Sequence, residues 1–592
     1  MCGIFGYTGS NSAGQLVVKG LQRLEYRGYD SWGIAISENN KIAYVKSLQP
    51  LAEAADIYNK EKFMPANTAI GHTRWATHGG VTKVNAHPHL SKSGEFALVH
   101  NGIVENYQTL KEELIAQGYD FVSETDTEVI VRLVEAELVH TKSLEQALVS
   151  AFLKLDGRNT IALLESKTNL ILAIRNGSPL VLGKATDGYF LGSDSLSFAD
   201  ETNEVLILDD MQMVSITKNI LKIHDIKTNK PVFKDFKKIE SQNVLVDKDG
   251  YEHFMLKEIS EQSHTIKIAS NSEEILASGF EKVCKSASRI FTVGAGSAAY
   301  AAGQIAYYLR SYASLPAFEL KAYEFESYAK QFTDQDLVIA VSQSGETADT
   351  IEAIEIAKQK NVTIASIVNM QGSTIPAISD YSFFTRSGPE ICVVSTKAFS
   401  AQCAWGLALA KAVAGDIQGH KKEIHDVQNK LEQYLSGSIN KNAQDLAKLL
   451  SKHEHVFVLG RGQNYFIALE GALKLKETTY THAEGFAAGE LKHGVIALIE
   501  KGTPVIVLIS DDAYHNAMIN AAAEIKSRGA YVIGIAASDN PLFDKHIPSV
   551  DLKHFSALAN LIPIQLTAYY LALELGLPPD KPRNLAKSVT VK

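Results

Sequence analysis

The amino terminus of the chain, Met1-Cys2-Gly3, offers a reactive group once the initiator methionine is removed. Cys2 would then carry a thiol and a free α-amino group, whose reference pKa of about 7.7 to 8.0 leaves part of it unprotonated at pH 7. A nucleophile and its general base would thus belong to one residue. The alternative is a buried, inert thiol, which position alone favours.

Later strings supply the other groups that such a thiol needs in order to cleave an amide. They are GHTRWATHG at 71–79, VHNG at 99–102 and ETDTE at 124–128. Arg74 can bind a carboxylate through paired hydrogen bonds, and Asp126 can bind an ammonium group. The Asn101 side chain and the Gly102 amide can stabilise an oxyanion. Each has a structural alternative: a surface ion pair for Arg74, a hairpin turn for Asn101-Gly102 and a helix N-cap for Asp126.

The second half of the chain indicates a different kind of site. The string SQSGET at 342–347 ends a strongly apolar run and begins a helical pattern. Ligands of open α/β sheets bind at the carboxyl ends of strands, and hydroxyls with free helix amides suit a phosphate monoester. The alternatives are that Ser344 and Thr347 only cap the helix, and that GAGS at 294–297 is part of a dinucleotide-binding fingerprint.

The elements that must position these groups differ between the two halves. Up to about residue 235 we predict a mixed α and β domain, with a helix over Thr127–Val139 and many short strands. The predicted strands include 32–36, 42–45, 68–70, 97–99, 169–174 and 205–208. The charged segment from Lys234 to Gln262 suits a connection, so we expect a domain boundary near 240.

An internal repeat decides the architecture of the second half. RIFTVGAG at 289–296 resembles HVFVLGRG at 455–462, DLVIAVS at 336–342 resembles PVIVLIS at 504–510, and residues 363–368 correspond to 531–536. Each run is almost continuously apolar and precedes a helical pattern, as in parallel strands covered by helices on both faces. We therefore predict two doubly wound α/β domains.

Length and composition exclude several classes of protein. A chain of 592 residues exceeds what one hydrophobic core serves, and its net charge of -9 argues against nucleic acid as a partner. Four cysteines form neither a disulfide framework nor a metal motif, which favours a reducing, cytoplasmic location. No secretory signal begins the chain. The apolar stretch Leu558–Leu577 contains polar residues, so we expect a packed helix after a turn rather than a membrane span.

The strings CGIFGY at 2–7, RGYDS at 27–31, HTRWATHG, VHNG and ETDTE resemble the class II glutamine amidotransferases. The resemblance implies an α+β N-terminal-nucleophile hydrolase fold with four αββα layers, in which Cys2 attacks the side-chain amide of glutamine and ammonia leaves. It also implies that Arg74 and Asp126 hold the substrate, that Asn101 and Gly102 form the oxyanion hole, and that Trp75 gates the onward route of ammonia. Trp32 departs from the pattern, because a small residue is expected after RGYDS.

The tandem repeat and its SQSGET string resemble sugar isomerase (SIS) domains. The order of domains resembles the glutamine:fructose-6-phosphate aminotransferase family, and the resemblance spans nearly the whole chain. It implies that glutamine and fructose 6-phosphate become glutamate and glucosamine 6-phosphate, the entry to UDP-N-acetylglucosamine synthesis. It implies a homodimer and a channel for ammonia closed by Trp75 and the tail, with no need for a metal or another cofactor. The implied sugar-phosphate ligands are Ser297, Ser342, Gln343, Ser344, Thr347 and the stretch Val393 to Ser395.

The same resemblance assigns the isomerase chemistry. Lys587 would form an imine with the ketose, Glu477 would move a proton between C1 and C2 with support from Glu470 and Lys474, and His493 would assist ring opening. Helical spacing puts Glu470, Lys474 and Glu477 on one face, which a surface salt-bridge row would also do, and a tail lysine is most often solvated. His87, His89, His453 and His455 lack partners at metal-ligand spacing, and we expect them in surface or loop positions.

One departure leaves the substrate open. Ala298 stands where the family usually has a serine, which removes a hydroxyl near the sugar phosphate. A related phosphosugar aminotransferase, deglycase or deaminase with another sugar phosphate is therefore an alternative, and a sugar-phosphate sensor with an inactive glutaminase is a further one. The expected domain bounds are 2–235 for the amidotransferase, 236–275 for a linker, 276–420 and 447–582 for the SIS domains, and 583–592 for the tail.

Overall fold

The structure is a computed structural model that describes residues 2–10, 12–238 and 247–589. The chain forms two compact units, Met1–Asn243 with Ser588–Lys592, and Val244–Lys587. The predicted boundary near 240 lies outside the described residues.

The first unit alternates short strands with a few helices. Its helices are α1 Ala13–Arg23, α2 Ala54–Lys60, α3 Tyr107–Ala116, α4 Thr127–Leu138 and α5 Leu144–Phe152. Its strands are β1 Gly3–Gly9, β2 Ser31–Glu38, β3 Lys41–Ser47, β4 Thr68–Arg74, β5 His89–Leu90, β6 Phe96–Gly102, β7 Asn159–Glu165, β8 Leu170–Arg175, β9 Val181–Ala185, β10 Gly188–Gly192, β11 Glu204–Ile207, β12 Gln212–Thr217, β13 Ile220–Asp225, β14 Lys230–Val232 and β15 Lys237–Lys238. Each predicted strand and the predicted helix after Asp126 are present.

Two sheets stack between helical layers in this unit. One sheet has the order β15-β11-β9-β10-β1-β4-β2-β3 and the other the order β14-β13-β12-β8-β7-β6-β5. Separate apolar clusters fill the space between α1 and the first sheet, between the two sheets, and between the second sheet and α3 to α5. Because side chains of a strand alternate between its faces, β1 and β4 supply both outer and inner layers. The predicted four-layer αββα fold is confirmed.

The second unit carries the repeat. Its helices are α6 Phe254–Ser260, α7 Gln262–Ala269, α8 Glu273–Ala277, α9 Phe280–Ser286, α10 Ser297–Ala313, α11 Ala348–Lys358, α12 Thr374–Ala377, α13 Lys397–Ala414, α14 Ile417–Ser436, α15 Ile439–Leu450, α16 Tyr465–Thr479, α17 His515–Ser527 and α18 Ser556–Glu574. Its strands are β16 Arg289–Gly294, β17 Ala317–Lys321, β18 Asp336–Ser342, β19 Thr363–Val368, β20 Tyr381–Phe384, β21 His455–Gly460, β22 His482–Ala487, β23 Pro504–Leu508, β24 Tyr531–Ala536 and β25 Lys545–Pro548.

The two repeats have the same parallel topology. The strand orders are β17-β16-β18-β19-β20 and β22-β21-β23-β24-β25. In such an order, successive strands are added on opposite sides of the first strand, so the strand order reverses between the first and third strands of each repeat. Ligands bind at the carboxyl ends of the strands at that point. The prediction of two doubly wound domains is confirmed.

The helices α6, α7 and α8 occupy the second part of the predicted linker. Met255, Ile259 and Ile266 are fully buried in the core that also contains α13 and α18. Their spacing among charged residues gives each short helix one apolar face. This stretch is therefore a packed segment of the second unit rather than an exposed connection.

The apolar stretch near the carboxyl end is a core helix. In the described part of the chain one helix, Lys553–Glu574, is long and apolar enough to cross a membrane, and 89% of its most apolar 18-residue window is buried in the protein. It begins with a short 3-10 turn, Lys553–Phe555, and continues as α18. The predicted packed helix with a preceding turn is confirmed.

Candidate functional site

The Cys2 side chain lies at the start of β1, beside the end of β4. The register pairs Gly3 with Thr73, so Cys2 lies opposite Arg74. The Trp75 main-chain N–H donates to the Cys2 Sγ at 3.3 Å, and the thiol is 3.5 Å from the Trp75 carbonyl oxygen. Burial raises the pKa of the Cys2 thiol above its usual value, and the Trp75 amide and the Arg74 charge offset only part of that rise. A hydrogen-bond donor and a cation beside the sulfur favour the thiolate that a nucleophile requires.

Arg74 ends β4 with its side chain buried at 3% exposure. Its guanidinium donates to three carbonyl oxygens of the following turn, those of His78 at 2.6 Å, Gly79 at 3.2 Å and Gly80 at 3.1 Å. Within the described residues Arg74 forms no ion pair, and burial lowers its pKa. The surface ion pair considered for Arg74 is therefore wrong, and a buried cation without a carboxylate partner suits an anionic ligand.

Asp126 precedes α4, but its side chain makes no capping bond to that helix. Its Oδ2 atom instead accepts a hydrogen bond from the Val104 N–H at 2.9 Å. The N-cap interpretation is therefore wrong, because the carboxylate joins the segment after β6 to the start of α4. The side chain is buried.

Asn101 and Gly102 are the last residues of β6, paired with Thr160 and Asn159 of β7. The hairpin-turn interpretation is therefore wrong. Gly102 has a φ of 147°, and a Cβ there would lie 2.3 Å from the Arg158 carbonyl oxygen, so only glycine fits. The Asn101 side chain is buried and hydrogen-bonded to His72 and Ser193.

The histidines around this site were misjudged from the sequence. We expected His87 and His89 in surface or loop positions, and this is wrong because both are almost completely buried. The rings of His72 and His87 stack with centroids 4.0 Å apart. Desolvation lowers the pKa of His72 to about 3 and that of His87 well below its usual value, so these rings are neutral. His453 and His455 are half-buried and exposed, which fits the expectation.

Trp32, which departs from the amidotransferase pattern, lies on the face of the first sheet that packs against α1. Trp32 is buried in the cluster between the first sheet and α1, and its indole N–H donates to the Gln49 carbonyl oxygen at 2.8 Å. Arg74 and Cys2 belong to the opposite, inner face by strand alternation. The larger side chain thus packs away from the inner face of the sheet.

In the second unit, the predicted phosphate loop lies at the carboxyl end of β18, where the strand order reverses. The Ser342 Oγ accepts from the Gly345 N–H at 3.0 Å and lies 3.1 Å from the Thr347 Oγ1. The Ser344 Oγ accepts from the Glu346 N–H at 3.2 Å. Thr347 precedes α11 without a side-chain cap, so the capping alternative is wrong for this residue. Gln343 is half-buried in the same loop.

A second group of predicted residues forms a buried cluster on α16. The Lys474 Nζ lies 3.1 Å from the Glu470 Oε1 and 2.6 Å from the Glu477 Oε2, and Glu470 and Lys474 are fully buried. Ser297 at the start of α10 donates to Glu470 and accepts from Lys474, each at 3.0 Å. Burial raises the pKa of Glu470 to about 7. For Lys474, burial lowers the pKa but the two carboxylates outweigh it and raise the pKa overall. The surface salt-bridge row is therefore wrong.

Lys587 forms a third group with residues that the sequence did not indicate. It is 3% exposed and forms an ion pair with the fully buried Glu390, so the solvated tail lysine is also wrong. Glu390 accepts from the main-chain N–H groups of Thr396 and Ala398, each at 2.9 Å. Glu258 accepts from the N–H groups of Ile391 and Cys392. The sequence did not indicate Glu258 and Glu390, because their contacts depend on how α6 and the tail pack against the segment before α13.

The other predicted sugar-phosphate and isomerase residues lie around these groups or apart from them. The Val393 N–H donates to the Asp580 carbonyl oxygen at 3.0 Å, and Ser395 is half-buried before α13. Ala298 is half-buried in the first turn of α10. His493 is exposed on the 3-10 helix Glu490–His493, and its side chain makes no hydrogen bond to other described residues. The structure therefore does not join His493 to Glu477 by a direct bond.

Fold and site together define an amidotransferase unit followed by paired phosphosugar domains. The family model described as glutamine amidotransferase domain matches residues 55–258, and that described as SIS domain matches 284–412 and 449–575. The chain belongs to the glutamine–fructose-6-phosphate aminotransferase (isomerizing) family of enzymes.

Relatives and a solved structure support this membership. Proteins of that name from Caldanaerobacter subterraneus subsp. tengcongensis and Pyrococcus horikoshii are 38% and 39% identical, each over 100% of both chains. The crystallised C-terminal domain of glucosamine-fructose-6-phosphate aminotransferase from Francisella tularensis is 31% identical, with a TM-score of 0.50 over 57% of this chain and 100% of that chain.

Proposed function

We propose that this protein converts glutamine and fructose 6-phosphate to glutamate and glucosamine 6-phosphate. The observation that carries the proposal is its relationship to aminotransferases of that name over the full length of both chains. The geometry of the two units supports it, because one unit contains a thiol beside a buried arginine and the other a buried acid–lysine cluster.

In the proposed glutaminase reaction, the Cys2 thiolate attacks the side-chain amide carbon of glutamine. The negative charge that develops on the amide oxygen is bound by the Asn101 Nδ2 and the Gly102 N–H. The Cys2 α-amino group, which took the proton of the thiol, gives it to the departing nitrogen as the C–N bond breaks. Neutral ammonia leaves, and water hydrolyses the thioester to glutamate. Arg74 binds the α-carboxylate and Asp126 the α-ammonium group, which the burial of both side chains supports.

In the proposed isomerase reaction, the phosphate binds the loop of Ser342, Gln343, Ser344 and Thr347 at the start of α11, with Ser297, Val393 and Ser395 completing the pocket. Hydroxyls and helix amides there compensate the phosphate charge. The Lys587 amine condenses with the C2 ketone and releases water, and ammonia then displaces the lysine. Glu477, partly exposed beside Lys474, moves the proton from C1 to C2.

Further parts of the proposal concern supporting residues and setting. Glu470 and Lys474 fix the charge around Glu477, and His493 assists ring opening. Trp75 gates the ammonia, which must stay unprotonated to react. We also propose a cytoplasmic homodimer that binds neither nucleic acid nor membrane. The four unpaired cysteines support the cytoplasmic location, because unpaired thiols are typical of a reducing compartment.

The test pairs two activities of the full chain. We expect Cys2→Ala to abolish glucosamine 6-phosphate formation from glutamine while fructose 6-phosphate isomerisation persists, because the thiol takes no part in the sugar chemistry. Mass analysis of the mature protein checks that Met1 is removed. Loss of both activities in a folded variant would contradict separate sites.

The alternative of a different sugar phosphate follows from Ala298. A panel of ketose and aldose phosphates, each scored by glutamate release and by amino-sugar formation, distinguishes it. Preference for a phosphate other than fructose 6-phosphate would favour a related aminotransferase, and sugar-phosphate binding without glutamate release would favour a sensor.

A further inference from the structure

The residues around the candidate oxyanion donor come from two facing sheets. Ile4 of β1 lies opposite His72 of β4 in the register of the first sheet. The inner cluster contains Ile4 and Ile70, so strand alternation directs His72 toward the second sheet as well. On the second sheet, Ala97 and Val99 belong to the same inner cluster, which directs Asn101 back toward His72. His72 and Asn101 therefore meet between the sheets.

Hydrogen bonding fixes which ring nitrogen of His72 carries its hydrogen. The His72 Nε2 lies 2.9 Å from the His100 carbonyl oxygen and 3.1 Å from the Asn101 Oδ1. A carbonyl oxygen can only accept, so the Nε2 must be the donor. The buried Nδ1 has no hydrogen-bond partner among the described residues, so it carries no hydrogen and the ring is neutral. Desolvation, which holds the pKa of His72 near 3, agrees with this state.

This tautomer also determines the orientation of the Asn101 amide. An N–H from His72 requires oxygen, not nitrogen, on the side of Asn101 that faces it. The Nδ2 atom then lies on the other side, where it donates one hydrogen to the Ser193 Oγ at 2.9 Å. The second hydrogen of the same nitrogen is left for a ligand. An amide turned by 180° would present an oxygen to a developing oxyanion and repel it.

Ser193 ties this amide to the strand that carries the nucleophile. Its Oγ accepts from the Ile4 N–H at 2.9 Å, and its own N–H donates to the Ile4 carbonyl oxygen at 2.9 Å. Ile4 is two residues from Cys2 on the same strand. The Ser193 Oγ accepts from both Ile4 and Asn101, so it ties the Nδ2 atom to the strand next to Cys2 in the orientation that His72 selects.

We propose that His72 and Ser193 are positioning residues: His72 selects the amide orientation of Asn101, and Ser193 holds its Nδ2 toward the carbon attacked by Cys2. The inference rests on the proposed function, because it gives Asn101 the role of oxyanion donor. Neither residue touches the substrate in this account. Their effect on glutamine hydrolysis passes entirely through Asn101.

The first experiment measures glutamine hydrolysis by the full chain. His72→Leu removes the bond that selects the amide orientation and Ser193→Ala the bond that holds it. For each variant we expect kcat to fall by about 10-fold or more while KM stays within about 2-fold of the wild-type value. Complete loss of an oxyanion donor costs about 10²- to 10³-fold, so Asn101→Ala sets the upper limit. His72→Gln keeps an N–H near the Nε2 position and should restore most of kcat. Ser37→Ala is the matched control, because Ser37 also loses a buried hydrogen bond, to the Ser166 carbonyl oxygen at 3.0 Å, far along β2 from Arg74.

The second experiment separates positioning from general structural damage. Glutamate γ-semialdehyde adds to the Cys2 thiol and places an oxygen in the oxyanion hole, whereas glutamate forms no such adduct. We expect Ser193→Ala to weaken binding of the aldehyde by about the same factor as it lowers kcat. The affinity for glutamate should stay within about 2-fold of the wild-type value. In an Asn101→Ala background the added Ser193→Ala change should have no further effect on kcat. Iodoacetamide alkylation of Cys2, which needs no oxyanion hole, should keep its rate.

The outcomes distinguish the inference from the proposed function. A full loss in Asn101→Ala with wild-type kcat in Ser193→Ala and His72→Leu overturns the inference alone. Wild-type kcat in Asn101→Ala overturns both the oxyanion role and the inference. If His72→Leu fails to fold, the kcat values of Ser193→Ala and of its double variant with Asn101→Ala still test the positioning role. Parallel loss of aldehyde and glutamate binding would contradict that role.

Discussion

The two repeats of the second unit share one topology, yet they carry different halves of the candidate isomerase chemistry. After β18 the first repeat reads Ser342-Gln-Ser344-Gly-Glu-Thr347, whereas the matching string after β23 reads Ser510-Asp-Asp512-Ala-Tyr-His515. In the first repeat the Ser344 Oγ accepts from the N–H two residues later. In the second, the Asp512 carboxylate accepts from the N–H of Tyr514 at 2.8 Å and from the Gln463 side chain at 2.9 Å. A fixed negative charge thus occupies the position where a phosphate would bind.

The helices that follow the first strand of each repeat also differ, and here it is the second repeat that carries the proposed catalytic residues. Glu470 and Lys474 on α16 correspond to Gln304 and Tyr308 on α10, which are uncharged and fully buried. Ser297 joins the two helices through its bonds to Glu470 and Lys474. Two scaffolds of one topology thus carry the proposed anion-binding loop in one repeat and the proposed acid–base row in the other. Shared topology does not imply shared function.

The largest expected effect tests the acid–base half. Glu477→Gln removes the proposed base while keeping its shape, so we expect fructose 6-phosphate isomerisation to fall by about 10²- to 10⁴-fold. Sugar-phosphate affinity, which depends on the first repeat, should change by less than about 3-fold. Initial rates and equilibrium binding of the same preparations check this. Equal losses in rate and affinity would contradict the division between repeats.

The next prediction transfers a charge from one repeat to the other. Gln304→Glu places a carboxylate on α10 at the position of Glu470, but Tyr308 provides no cation there. A buried charge without a partner should destabilise the chain by about 3–5 kcal/mol, measured by chemical unfolding. The double variant with Tyr308→Lys restores a pair and should recover part of that loss. No recovery would mean that the pair on α16 depends on Ser297 and Glu477 as well.

A smaller effect tests the anion-binding half. Ser344→Ala removes one hydroxyl from the phosphate loop, and a hydrogen bond to a charged group is worth about 1.5–3 kcal/mol. We expect the dissociation constant for fructose 6-phosphate to rise by about 10- to 100-fold. Ser510→Ala in the second repeat, which also removes a loop hydroxyl, should change it by less than about 2-fold. Comparable losses in both variants would argue that both loops bind phosphate.

Much of this comparison was accessible from the sequence, because apolar runs and helical spacing report local structure. The strands, the repeat and the row of Glu470, Lys474 and Glu477 were predicted, and so was the Cys2 string. Burial was not, since it depends on which elements cover a residue. We therefore expected His87 and His89 in surface or loop positions, and nothing in the sequence indicated that Glu390 contacts the tail.

The missed partners of Asn101 illustrate the same limit. His72 lies two residues before Arg74, so strand alternation alone could have placed it on the same face. Ser193 could not have been found in this way. Its relation to Ile4 depends on the pairing of β10 with β1, which are almost 190 residues apart in the chain.

The expected effect that is smallest within one pH unit concerns how the charge on α16 responds to pH. Burial raises the pKa of Glu470 to about 7, above the usual value of 4.5. The folded chain therefore holds a proton that the unfolded chain has already lost between pH 4.5 and 7, and stability falls as pH rises through this window. Glu470→Gln gives the second repeat the amide of Gln304 and should remove that dependence. The difference in unfolding free energy between the two proteins should change by no more than about 1.4 kcal/mol per pH unit, the limit for one proton, and level off above pH 7. If the stability of the wild type relative to Glu470→Gln instead fell as the pH was lowered, Lys474 would be keeping Glu470 ionised.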